Sequence, residues 1–299
     1  VVDDLLTFDS VRAIHLGPLE PDDHRLLIKG LLCLDPGLTH RVEKRTAGNP
    51  LFAIHLVQDW ISRGLLQPST TGYTLRSGAP TALPPNLSAV WSARVERVLS
   101  GLGQSDVEAI ELAATLGQEI HPGEWSALCR LAGIDPSPDL LSYLIRNGFI
   151  IHLDDKSPEE GWAFVHAMLR EAIEKHSAEQ GRNVHHHEQC VGLLRAQALF
   201  DPRIPRHLCA AGQLEAALRP FRRLVHMHMR SGDHRAAAAG LLDWRHTLKK
   251  LGDGPRSKRW LETDLVDHNI RSLRGELDQA DVGIRALVEH FDPETDIRL

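Results

Sequence analysis

Apolar residues recur along most of this chain at three- and four-residue intervals, the period of a helix with one buried face. Glu20-Pro21-Asp22-Asp23 gives an acidic helix start ahead of Leu26, Leu27, Ile28, Leu31 and Leu32. Further helices are expected around 38–47 and 49–66, the latter carrying Leu56, Val57, Trp60, Ile61 and Leu65 on one face. A polar connection through Pro80, Pro84 and Pro85 leads to a helix from about Asn86 to Leu102, with Val90, Trp91, Val95, Val98 and Leu99 inward. Ahead of this four-helix bundle, Val11-Arg-Ala-Ile-His-Leu alternates as a short strand closed by Gly17-Pro18.

The pattern changes at Gln104. Ser105 starts a helix through Leu116-Gly117, Pro122 a second through Ala132-Gly133, and Ser137-Pro138 a third ending at Asn147-Gly148. Phe149–Leu153 and Trp162–Val165 then alternate as strands around the turn Asp154–Gly161, and a helix follows from about His166 to Glu179. Three helices and then a hairpin is the winged-helix order. Beyond Gly181 the chain is helical, with helices predicted near 184–199, 214–230, 234–251, 256–274 and 277–291.

Three of the later turns share a signature: Ala211-Gly-Gln-Leu-Glu-Ala-Ala, Ser231-Gly-Asp-His-Arg-Ala-Ala and Arg274-Gly-Glu-Leu-Asp-Gln-Ala. A turn glycine with an alanine soon after permits close helix packing, as in tetratricopeptide (TPR) arrays. Their spacings of 20 and 43 residues are irregular for such a repeat, so the repeats are degenerate, and the array is expected to continue past Leu299. The fold class is mostly α: a helical bundle, a winged-helix domain with a β-hairpin, then TPR-like α-helical repeats.

Composition narrows the function. Only 5% of the 299 residues are aromatic, so the cores are built from Leu, Ala, Ile and Val. The formal net charge of −6 argues against a dedicated nucleic-acid or anionic-membrane binder. The third helix of the winged unit, Pro136–Gly148, carries Arg146 against Asp139 and is otherwise Leu, Ile and Tyr, poor material for reading base edges. Cys33, Cys129, Cys190 and Cys209 stand singly and are expected to be buried thiols in a reducing compartment. No apolar run reaches the roughly 18 residues of a membrane span, and a cytoplasmic location is expected. Residues 1–10 look neither like a natural start nor like a signal segment, so a piece of a longer protein is expected.

The candidate chemistry is sparse. Asn49 can cap a helix whose first position suits Pro50, with Gly48 allowing a sharp turn before it. His166 stands where a strand gives way to a helix and could cap that helix. His185-His186-His187 with Cys190 suggests a metal cluster, but consecutive histidines point apart and no second ligand pair follows, so a helix start with a solvated face is expected. Arg182, Arg195, Arg203, Arg206, Arg219, Arg222, Arg223 and Arg230 make a basic stretch, either a solvated face or a docking surface for an acidic partner or another domain. GxxxxGK[ST], GxSxG, HExxH and the kinase signatures are absent, so no catalytic residues and no ATP turnover are expected of this segment.

Thr46-Ala-Gly-Asn-Pro-Leu-Phe-Ala, with Ile14-His-Leu-Gly-Pro-Leu-Glu-Pro upstream, resembles the lid region of STAND-type signal-transduction ATPases, the AAA-related switch proteins. In that family the proline of the Gly-x-Pro element packs on the adenine of bound nucleotide. The resemblance therefore implies nucleotide-binding roles for Pro50, Gly48 and Asn49. The family's wing strand is followed by a histidine that reaches the β-phosphate of ADP, which implies that role for His166. The plant-type Met-His-Asp is Val165-His166-Ala167 here.

Val90-Trp-Ser-Ala-Arg-Val, Phe164-Val-His-Ala-Met-Leu-Arg-Glu and Arg206-His-Leu-Cys-Ala-Ala-Gly are similar to bacterial multidomain regulators, whose relatives carry a Ser/Thr kinase, nucleotide cyclase or DNA-binding output domain. The resemblance implies 1–18 as the end of a nucleotide-binding domain, 19–103 as lid, 104–180 as winged helix and 181–299 as repeats. It implies ATP/ADP with Mg²⁺ held through an upstream nucleotide-binding domain, a protein partner on the repeats and homo-oligomerisation; that this region binds neither nucleic acid nor membrane is expected from its charge and hydropathy instead. Pro50 and His166 would face one cleft, with hinges at Pro80–Pro85 and Leu102-Gly103. Two other classes remain open: a LuxR-like transcriptional regulator, and a helical-repeat scaffold without nucleotide dependence.

Overall fold

The computed structural model describes residues 15–79, 83–153, 161–255 and 257–289, and among them the chain is mostly helical, with fourteen helices and five short strands. It divides into two compact units, one through Leu102 and one from Gly103.

In the first unit, α1 (Pro21–Leu31), α2 (Pro36–Thr46) and α3 (Pro50–Ser62) each begin on a proline, whose missing N–H costs nothing at a helix start. Side chains close two of these starts: Asp35 Oδ1 accepts from Leu38 N at 2.9 Å and Asn49 Oδ1 from Phe52 N at 3.0 Å. α3 stops at Ser62 rather than 66, because Gly64 takes a left-handed φ of 59° and Leu65 N turns back to Trp60 O at 3.0 Å. Ile61, expected on the apolar face, is half-exposed, and in α1 only His24 and Ile28 are buried.

The expected polar connection contains a hairpin. β1 (Leu66–Ser69) pairs antiparallel with β2 (Gly72–Leu75), Leu66 opposite Leu75. The hairpin joins residues 33–35, with Asp35 N donating to Tyr73 O at 2.9 Å, and a Cβ on Gly72 would strike the Cys33 carbonyl. The fourth helix, α4 (Leu87–Leu99), is capped by Asn86 and buries Val90, Trp91, Val95, Val98 and Leu99. Of the expected Val11–Leu16 strand, residues 11–14 lie outside the described residues, and 15–20 form neither helix nor strand.

The second unit opens with α5 (Gln104–Leu116), followed by β3 (Glu119–Ile120), α6 (Pro122–Ala132), α7 (Leu140–Arg146), β4 (Ile150–His152), β5 (Trp162–Phe164) and α8 (Ala167–Glu179). The strands form one antiparallel sheet in the order β3-β5-β4, with Ile120 opposite Trp162 and Ile150 opposite Phe164. β3 is two residues long, too short to leave a period in the sequence. The Asp154–Gly161 turn lies, but for Gly161, outside the described residues. Trp125 meets Trp162 edge-on at 5.7 Å, and its indole N–H donates to Ala109 O at 2.8 Å, fixing α6 to α5.

The remaining helices are α9 (Asn183–Gln197), α10 (Ile204–Ala210), α11 (Leu214–Arg230), α12 (His234–Lys250), α13 (Lys258–Leu273) and α14 (Leu277–Glu289). The sequence pattern had no place for α10, seven residues started by Asp201, whose Oδ1 accepts from Arg203 N at 2.8 Å. A core of Leu194, Leu208, Phe221, Val225, Leu241, Trp244, Leu248 and Ile270 runs through the array.

The turn signature extends further than the sequence suggested. Gly212, Gly232, Gly252 and Gly275 all have φ between 74° and 85°, and in each the next N–H returns to the carbonyl five residues before it, for example Asp253 N to Leu248 O at 3.0 Å. Including Leu251-Gly252-Asp253 resolves the irregular interval of 43 into 20 and 23.

The cysteines depart from expectation. Cys129 and Cys190 are buried, and burial pushes their thiols up to about 11 and about 12, but Cys33 is exposed and Cys209 half-buried. Residue 33 sits on the backbone stretch that pairs with the hairpin, which occupies its peptide groups and leaves the side chain outside.

Candidate functional site

The Gly48-Asn49-Pro50 turn is built from two distant stretches of sequence. α2 ends with Ala47 in the left-handed region at φ 45°, and Gly48 follows at φ 79°. Leu19 N donates to Gly48 O at 2.8 Å, and a Cβ on Gly48 would lie 2.7 Å from Pro18 Cβ and 2.8 Å from Leu19 O. Only glycine fits, on both counts. Asn49 then spends its side chain on the cap of α3, and Pro50 and Leu51 are exposed on the first turn. Beneath the turn, buried His24 meets Thr46 Oγ1 through Nε2 at 2.9 Å, while Thr46 donates to Val42 O. Burial is the main cause that lowers the His24 pKa, against a raising effect of Glu43.

His166 occupies the N-cap position of α8 with an extended backbone, φ −141° and ψ 141°, but its side chain makes no cap hydrogen bond. It is half-buried at the junction of β5 and α8. Gly48, Asn49 and Pro50 lie in the first unit and His166 in the second.

A second constellation was not anticipated. Glu111 on α5 is fully buried, yet its carboxylate is met from three other segments. Arg182 donates through Nε at 2.8 Å and Nη2 at 2.7 Å, His186 on α9 meets it through Nε2 at 3.0 Å, and His176 on α8 through Nδ1 at 2.9 Å. Burial alone would raise its pKa, but the hydrogen bonds of Arg182, His186 and His176 outweigh that and hold it at about 2. The sequence carries one sign of it: from Ala109 to Leu116 every residue but Glu111 and Thr115 is apolar, and a helix stretch apolar on all sides is enclosed together with the carboxylate it carries.

The expectation of a solvated histidine face is therefore overturned for two of the three histidines. His185 is exposed, but His186 binds Glu111, and buried His187 meets His207 on α10 through facing Nδ1 atoms at 2.9 Å. Burial lowers these two rings to about 4 and about 3, with Arg206 the next cause for both, so at neutral pH one neutral ring donates to the other. Among the described residues no cluster of three or more His, Cys, Asp or Glu could hold a metal ion.

The basic stretch also divides. Arg203 clamps Glu124 with Nη1 at 3.0 Å and Nη2 at 2.6 Å. Arg170 and Arg206 donate to Ala114 O and Thr115 O at the C-terminal end of α5, where a cation is favourable. Arg182, Arg203 and Arg206 thus bind α9 and α10 to α5 and α6, with Glu111 at the centre. This arrangement holds elements together and offers no open position for a substrate.

No described protein family and no curated protein matches this chain. Among solved structures, it is similar to a Signal Transduction ATPase with Numerous Domains (STAND) protein with a tetratricopeptide repeat sensor from Pyrococcus horikoshii, at 14% identity and a TM-score of 0.31. The alignment covers 97% of this chain and 50% of that one, so the chain spans about half the length of that structure. No helix among the described residues is long and apolar enough to cross a membrane. A likeness this distant carries no residue's role from that structure to this chain.

Proposed function

We propose that this chain is the regulatory region of a STAND-type signal-transduction ATPase, joining a nucleotide-dependent lid and winged helix to a TPR-like sensor. The observation that carries the reading is the turn at Gly48. The Pro18-Leu19 and Gly48-Asn49-Pro50 stretches, both part of the motif pair that resembles the family, lock into one turn that only glycine permits. That turn leaves Pro50 and Leu51 at the surface, free to offer apolar contact to a planar base.

The residues here suit the base side of a nucleotide and hold no phosphate cradle, so ATP or ADP with Mg²⁺ would be held through an upstream nucleotide-binding domain. Pro50 would stack on adenine with Gly48 and Asn49 shaping the approach, and His166 would donate to the β-phosphate of ADP in a closed state. The α5–α8 unit, with its four helices and three-stranded sheet, serves as the winged helix, and Leu102-Gly103 serves as a hinge. Exchange of ADP for ATP, with a signal on the repeats, would release the closed state and permit self-association.

In the longer protein, a charge-assisted hydrogen bond of this kind contributes about 1.5–3 kcal/mol to the closed state. His166→Ala should therefore speed ADP release by roughly tenfold or more and raise basal self-association. Pro50→Ala should weaken nucleotide binding in both states. A His166→Ala protein that melts earlier while releasing ADP at the parent rate would return His166 to a purely structural role and sink this reading.

A further inference from the structure

Arg219, Arg222, Arg223 and Arg230 lie along one side of α11 and, with His226, line a groove of about 890 Å³. Its remaining lining is apolar: Leu199, Phe200 and Met227. No carboxylate is among these lining residues, although the chain as a whole carries a net charge of −6. Leu199 is 97% exposed and Met227 is 37% exposed. Arg223 helps build the wall, lying over the Phe200 ring at 4.8 Å and donating to Leu199 O at 3.1 Å. Arg222 is paired with Glu262 at 3.0 Å, and it and Arg219 also line the adjacent groove that holds Glu215 and Glu262. Arg219 and Arg230 are exposed at either end of the stripe.

We infer that this groove docks a short acidic protein segment bearing one apolar anchor side chain. The arginines supply a field that an acidic chain neutralises, and Leu199 and Met227 supply exposed apolar surface that an apolar anchor can cover. From Arg219 to Arg230 the stripe rises about 16 Å, the span of roughly five extended residues. A nucleic acid would satisfy the arginines but leave the exposed Leu199 and Met227 side chains in water, and the acidic chain would repel it at longer range. The inference needs only the repeat region and stands apart from the nucleotide reading.

The experiment uses the whole chain and no nucleotide. A labelled peptide of that length composed of Glu, Leu and Phe is titrated by fluorescence anisotropy, beside its Lys/Leu/Phe counterpart and an oligo-dT of similar charge. The acidic peptide should bind, the lysine peptide should not, and oligo-dT should bind more weakly. Arg219→Glu with Arg230→Glu should lower the acidic peptide's affinity by about tenfold or more at unchanged melting temperature. Leu199→Ser should weaken binding through the anchor, and Lys249→Glu, on another helix, should leave it unchanged. Absence of binding, binding indifferent to the arginine pair or to Leu199, or tighter binding of oligo-dT would each overturn the proposal.

Discussion

Asp59 on α3 and Glu111 on α5 are both buried carboxylates, but they are held on different terms. Asp59 meets Arg63, just past the end of its own helix, at 3.2 Å and Arg97 on α4 at 3.0 Å, and those two arginine side chains are 33% and 39% exposed. Glu111 is reached by four donor atoms from three segments, and the donors are themselves largely enclosed. An ion pair whose cations touch water is screened and adds little, whereas a buried carboxylate with every donor in place is costly to disturb. The first unit is therefore held mainly by its apolar core and helix caps. The second adds a polar joint that couples α5, α8 and α9.

Breaking that joint gives the largest expected effect. Glu111→Ala leaves Arg182 and two histidines facing a vacated site, which costs about 3–5 kcal/mol. In calorimetry the transition of the second unit should fall by on the order of 10 °C, with that of the first unmoved. If both transitions shift together, or neither does, the contrast between the units is wrong.

Acid should produce the next effect, again in the second unit. His187 and His207 have folded pKa values of about 4 and about 3 against 6.5 for the free group, so the unfolded chain takes up their protons first. Stability is then full above pH 6.5 and is lost as pH falls toward 4, by about 1.4 kcal/mol per histidine at pH 5.5. Glu111, depressed from 4.5 to about 2, adds a further loss below pH 4.5. Protonation is costly because His207 Nε2 is buried with no hydrogen-bond partner among the described residues. His207→Asn should flatten the dependence of the second transition on pH between 7 and 5, and an unchanged slope would remove the pair from the explanation.

Two smaller tests sharpen the first unit. Gly48→Ala forces a Cβ into Pro18 and Leu19 at a left-handed φ, and should lower the first transition by about 2 kcal/mol. Asp59→Asn should cost about 1 kcal/mol or less, since its arginine partners are partly solvated. A larger loss on Asp59→Asn than on Glu111→Ala would reverse the comparison.

Helix positions were legible because apolar spacing, proline starts and glycine stops act within one or two turns; α6 begins at Pro122 and ends at Ala132 as read from the sequence. The Asn49 cap was legible for the same reason. What escaped depends on distant partners. Leu66–Leu75 looked polar because neither strand of that hairpin has a buried residue to leave an apolar alternation, and β3 has meaning only beside β5. Glu111 drew no attention in the sequence and His186 read as part of a solvated face, because sequence spacing cannot show that residues 75 apart share a hydrogen bond. Gly48 was legible as a turn, but its collision with Pro18 was not.

The even spacing of the turn glycines sets a quantum of length for the array. Gly212 to Gly232 and Gly232 to Gly252 are each 20 residues, so one helix and its turn reverse the chain and two restore its direction. A single inserted residue within α12 would rotate everything after it by about 100°, carrying Leu241 and Trp244 away from the stripe they share with Val225. The array can therefore grow or shrink smoothly only in steps of a whole helical hairpin, and lengths between those steps can be taken up only at the turns, as the interval of 23 residues between Gly252 and Gly275 already is.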